Sequence, residues 1–138
     1  MVENVLAHEN SKANQERVAK QSKTEDKQLF PNQTFGKTWS QKIGTEKITL
    51  HYFGAAHTDG DALIHFEHAD IVHMGDLINN RRYPFIDRTA GASIKNWITV
   101  LIVGLFTLVL NAQHQHEKYP FKIRFSCLST CRYNHFLF

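Results

Sequence analysis

The chain has 138 residues, 42% of them hydrophobic and 21% charged, with three prolines and seven glycines. That balance excludes wholesale disorder and collagen-like or proline-rich architecture. Two cysteines, Cys127 and Cys131, are too few for a disulfide framework, and the opening MVENVLAHEN lacks the basic and apolar regions of a secretory signal. The net charge of +3 sits at one end: residues 1–110 hold twelve basic and twelve acidic side chains, whereas 111–138 hold Lys118, Lys122, Arg124 and Arg132 against Glu117. No base-reading module surrounds that excess, so nucleic acid is not an expected partner.

Along the chain, Asn10 or Ser11 is the expected cap of a polar helix running through Ala13, Arg17, Val18 and Lys20. Its apolar stripe is thin, which places it on a surface. Residues 21–41 carry turn formers around Pro31 and Gly36 and read as an irregular connection with aromatic anchors. From Ile43 the period becomes two: Ile48, Leu50 and Tyr52 alternate with Thr49, His51 and Phe53, the pattern of a strand. Short strands are expected at Ala62–Phe66 and Ile71–Met74, and a helix from about Ser93. The middle of the chain reads as a β-sheet.

Two strand ends can carry chemistry. The first runs into Gly54-Ala55-Ala56-His57-Thr58-Asp59-Gly60-Asp61, where small residues allow a tight turn and Gly60 permits a positive φ. A histidine there can project an imidazole nitrogen beyond a rigid sheet edge. The second is Met74-Gly75-Asp76, where a carboxylate follows a strand. Either loop alone is ordinarily a hydrogen-bonded turn.

Together, AAHTDGDALIHFEHADIVHMGDLINNRRYPFID resembles the middle of a metallo-β-lactamase superfamily protein, from roughly Ile48 to Trp97. A fainter resemblance covers Val5-Leu6-Ala7-His8-Glu9-Asn10, which is similar to the strand and helix start following that family's first metal loop. The resemblance implies an incomplete α/β fold, a metallo-β-lactamase-like αββα sandwich with an atypical apolar C-terminal segment. The partial domain would span residues 1–97, followed by an apolar segment and basic tail over 98–138. It further implies a zinc-dependent hydrolase, with metal-activated water attacking an ester, amide or phosphoester-type bond of a small-molecule substrate. His57 matches the histidine that completes the family's first zinc site, and Asp76 the carboxylate that bridges two zinc ions. Thr58, Gly60 and Asp61 match the supporting turn, Asp61 as a residue bonding behind the ligands. Imidazole and carboxylate are suitable zinc donors, and a carboxylate has two oxygens with which to span a metal pair.

The same resemblance places the family's His-x-His-x-Asp-His loop before Val5 and its last histidine ligand after a further strand. The expectation is therefore that only His57 and Asp76 of the donor set remain, fewer than the three or so that a catalytic zinc needs. His114-Gln115-His116, or Cys127, Cys131 and His135, could supply donors; a histidine-containing polar tail is the plainer reading. His8, His51, His65, His68 and His73 read as ordinary strand or loop residues, and Arg81 and Arg82 as solvated charges that could meet an anionic substrate.

The run Trp97–Leu110 has no charge, and Asn96–Gln113 extends it to 18 uncharged residues, against the roughly 20 that cross a bilayer. A buried or aggregation-prone segment is the plainer expectation, and membrane insertion the alternative, with a non-catalytic, membrane-anchored protein as its functional counterpart. A truncated or frame-shifted product without selected function is the third.

Overall fold

The computed structural model describes the backbone of residues 4–79, 83–115, 124–126 and 136–137, and the side chains of 4–79 and 83–106. Arg81, Arg82, His116, Cys127, Cys131 and His135 lie outside the described residues.

Strand β1 (Val5–His8) leads directly into helix α1 (Glu9–Ser22). The helix cap is His8 rather than Asn10 or Ser11: its Nδ1 accepts from the Asn10 backbone N–H at 3.2 Å, satisfying one of the donors that every helix start leaves open. Asn10 and Ser11 are used elsewhere. At the far end, Lys23 takes a left-handed conformation (φ 53°) and its N–H closes onto Ala19 and Lys20.

The segment expected to be irregular instead holds two strands, β2 (Gln33–Phe35) and the start of β3 (Thr38–Ile43). Both are edge strands with few buried side chains, so neither shows the alternation that marks a half-buried strand. Gly44 at φ 61° turns β3 tightly into β4 (Glu46–His51), followed by β5 (Leu63–Phe66) and β6 (Ile71–His73). Helix α2 spans Ile94–Gln115, and β7 (Arg124–Ser126) and β8 (Phe136–Leu137) complete the described elements.

Two sheets result. One has the order β2-β1-β8, the other β3-β4-β5-β6-β7. In the larger sheet β3 to β6 are antiparallel neighbours and β7 joins β6 in parallel. The larger sheet separates two cores. Ile48 and Leu50 join Ile64, Ala62, Leu6 and Phe35 between the sheets. On the opposite face Leu63 and Val72 join Met74, Leu77, Ala56, Trp97 and Val100 under α2. Strand β1 is buried along its whole length: Leu6 faces the other sheet, and Val5 and Ala7 alternate to the far side. Helix α1 packs against β1 and β2.

The apolar run that was a candidate membrane span lies in α2. Trp97, Val100 and Gly104 are buried, and Leu101 and Leu105 pack partly against the same core. This is the i, i+3, i+4, i+7 spacing of a core-facing helix. A side chain at Gly104 would meet Leu63 Cδ2 at 3.0 Å, so glycine lets the helix settle on the sheet. Among the described residues no helix is long and apolar enough to cross a membrane. The run looks like a membrane span in sequence because its other side is apolar too, with Ile94, Ile98, Ile102, Val103 and Phe106 exposed.

Candidate functional site

Strands β4 and β6 flank β5, which runs opposite to both, so β4 and β6 end at the same edge of the sheet. The loop carrying His57 follows β4, and the 3-10 turn Gly75–Leu77 carrying Asp76 follows β6. Strand order alone therefore brings a histidine and a carboxylate that are far apart in sequence to one sheet edge. The sharp turn into Asp76 uses Gly75 at φ 53°, and the Gly75 N–H donates to His73 Nδ1 at 3.2 Å.

The His57 loop is built from its own polar residues. Asp61, 1% exposed, accepts from the Thr58 N–H at 2.6 Å and the Thr58 hydroxyl at 3.0 Å, while the Ala56 N–H donates to the Thr58 carbonyl at 2.6 Å. Asp61 Oδ1 lies 3.9 Å from His57 Nδ1. Gly60 is not in a left-handed conformation, contrary to expectation; Gly54 is, at φ 119°. Gly60 is required by close approach instead: a Cβ there would collide with the Ser11 hydroxyl and stand 2.6 Å from the Ser11 backbone nitrogen.

That approach exists because the start of α1 holds the loop from outside. Asn10 Nδ2 donates to the Asp59 carbonyl at 2.8 Å, the Ser11 hydroxyl to the Gly60 carbonyl at 2.8 Å, and Asn14 Nδ2 to the Asp59 carboxylate at 2.7 Å. From the sheet side the Tyr52 hydroxyl donates to the Asp59 carbonyl at 2.8 Å. From α2, Asn96 Nδ2 donates to the Ala55 carbonyl at 2.7 Å, and the Ser93 N–H to the Ala56 carbonyl at 2.9 Å. None of Asn10, Asn14, Tyr52 or Asn96 stands out as a functional residue in sequence. The three asparagines lie 41 to 49 residues along the chain from their partners, too far for any local spacing to announce them.

His57 Nδ1 is buried without a hydrogen-bond partner, although its ring packs edge-on against Trp97 with centroids 5.6 Å apart. A buried polar atom left in that state is costly unless some further group satisfies it. Burial raises the Asp76 carboxyl above its ordinary value of 3.8, and the neighbouring His57 and His73 pull it back. His57 and Asp76 are thus electrostatic neighbours at the sheet edge. His73, read as an ordinary strand residue, stands with them. Two other described histidines lie elsewhere: His8 is stacked on Tyr52 with centroids 3.8 Å apart, and His65 is buried on β5. Among the described residues no three His, Cys, Asp or Glu side chains gather closely enough to hold a metal ion.

No family model matches the sequence. No curated protein matches it. Solved structures do. A metallo-β-lactamase from Pontibacter korlensis superposes with a TM-score of 0.50 at 18% identity, covering 87% of this chain and 48% of that one. The metallo-β-lactamase IND-7 gives 0.51 at 12% identity, with 82% and 44% covered. The DIM-1 metallo-β-lactamase gives 0.54 at 19%, with 78% and 46% covered. The likeness is one of fold: the chain's α/β arrangement is similar to that of these metallo-β-lactamases, and it spans less than half the length of each of these structures.

Proposed function

We infer that this chain carries part of a zinc site of a metal-dependent hydrolase, with His57 and Asp76 as its donors. The observation that carries the reading is the buried, unsatisfied Nδ1 of His57 beside the Asp76 carboxyl, both projecting from one sheet edge. The donor types fit zinc; their number does not fill a catalytic zinc's protein ligand set. Asp61 and Thr58 act on the loop rather than as donors, fixing the backbone that presents the imidazole. In a complete site, bound zinc would lower the pKa of a water molecule and turn it into a nucleophile at neutral pH. This chain's own contribution is to orient His57, to hold Asp76 at the same sheet edge with β5 between their strands, and to keep both against an apolar floor of Ala56, Leu77 and Trp97.

The experiment is a calorimetric zinc titration of the whole chain beside His57→Ala and Asp76→Asn. Weak binding, lost in either variant, is the expected result, with no turnover of ester or amide substrates by the chain alone. Sub-micromolar affinity would show additional donors and move the reading to a complete hydrolase site. Zinc binding indifferent to both substitutions would remove His57 and Asp76 from it.

A further inference from the structure

Both candidate ligand loops meet one side chain. The Trp97 indole Nε1–H donates to the Leu77 carbonyl at 3.1 Å, within the 3-10 turn that carries Asp76. The edge contact with the His57 ring, at 78° between planes, belongs to the same indole. Trp97 is 7% exposed and sits in the first turn of α2, where Ser93 and Asn96 already bond the backbone just before His57. Tryptophan combines a large rigid body with one directional donor, so it can fix two loops at once where an aliphatic residue could only fill the space. Gly54 leaves room for this arrangement, since a Cβ there would stand 2.7 Å from Asn96 Nδ2.

We propose that Trp97 is a positioning residue that braces the His57 loop to the Asp76 turn, so that the spacing of the two donors is set from helix α2. The role in metal binding rests on the zinc reading above; the brace itself does not. Removal of the indole donor frees the Leu77 carbonyl and lets the Asp76 turn move relative to His57. Partners that orient ligands in this way commonly change metal affinity by 10–100-fold when removed.

Trp97→Phe keeps an aromatic body and loses the donor; Asn96→Ala loosens only the His57 side. Hydrogen exchange on the metal-free full chain should show residues 55–61 and 75–78 both losing protection in Trp97→Phe, by at least about fivefold at the Asp76 turn. The β3–β4 hairpin should be unchanged, and Asn96→Ala should affect residues 55–61 alone. Uniform loss across the sheet, or no change at 75–78, overturns the brace. Zinc affinity should fall about tenfold in folded Trp97→Phe; equal affinity overturns the positioning role. A wild-type chain that binds no zinc overturns the zinc reading, while the exchange pattern still decides the brace. Should Trp97→Phe fail to fold, Trp39→Phe leaves a single indole. Its N–H should then exchange slowly with solvent in the wild-type site, and fast exchange overturns the proposal.

Discussion

The Tyr52 hydroxyl donates to the Asp59 carbonyl at 2.8 Å, and the same carbonyl accepts from Asn10 Nδ2 at 2.8 Å. One oxygen thus joins the end of β4, the start of α1 and the loop that presents His57. Tyr52→Phe keeps the ring stacked on His8 and removes only the donor. It should lower stability by about 1 kcal/mol in urea denaturation, with an unchanged denaturant slope. A larger loss with a changed slope would show that the ring, and not the hydroxyl, holds the loop.

Gly60 gives a sharper test of the same junction. Its absent side chain admits the Ser11 backbone as well as the Ser11 hydroxyl. Gly60→Ala should therefore destabilise by about 1–3 kcal/mol through overpacking. Adding Ser11→Gly should recover little, because the nitrogen and Cα of residue 11 remain in the way. Full recovery in thermal melts of the double variant would assign the crowding to the hydroxyl alone.

The central strands are legible in the sequence because each lies in a sheet with two different faces. Ile48 and Leu50 alternate with Thr49 and His51, and the structure sends the first pair between the sheets. β2 and the start of β3 are not legible, because at a sheet edge backbone pairing rather than side-chain burial keeps the strand. The loops of His57 and Asp76 stand out through their small residues and glycines. Their support does not: Asn14 reaches Asp59 across 45 residues and Trp97 reaches Leu77 across 20. Those contacts are products of the tertiary fold and leave no local pattern. The apolar run of α2 admits both a buried and a membrane-spanning reading for a related reason, since its outward side is as apolar as the side that packs.

Within α2 the two sides should respond very differently to truncation. Val100 is 1% exposed and belongs to the core beneath the helix, whereas Ile102 is 63% exposed. Val100→Ala should cost about 2 kcal/mol in chemical denaturation, from lost apolar burial and the cavity left behind. Ile102→Ala should stay within about 0.5 kcal/mol. Replacing Ile98, Ile102 and Phe106 together by Gln should raise the concentration at which the chain remains monodisperse in light scattering, since exposed contiguous apolar side chains favour association. Equal destabilisation at positions 100 and 102 would mean that the outward side of the helix is covered in solution.

Stability should also depend on pH between neutrality and mild acid. Burial lowers the His8, His51, His65 and His73 imidazoles below their ordinary value of 6.5, so the fold favours their neutral forms. Below about pH 6.5 the unfolded chain takes up protons that the folded chain resists, and stability falls as pH drops through the lowered folded values. Asp76 acts in the opposite sense, since burial raises its carboxyl above 3.8 and the folded state then binds the proton more readily. Its effect belongs to the acid side, in the interval from its raised folded value down to 3.8. The melting temperature should therefore decrease from pH 7.5 to 5.5. His65→Gln, which cannot take up a proton, should reduce that slope even if it lowers the melting temperature overall. A wild-type melting temperature that is flat or rises as the solution is acidified over this range would show that these imidazoles are solvated in the folded protein.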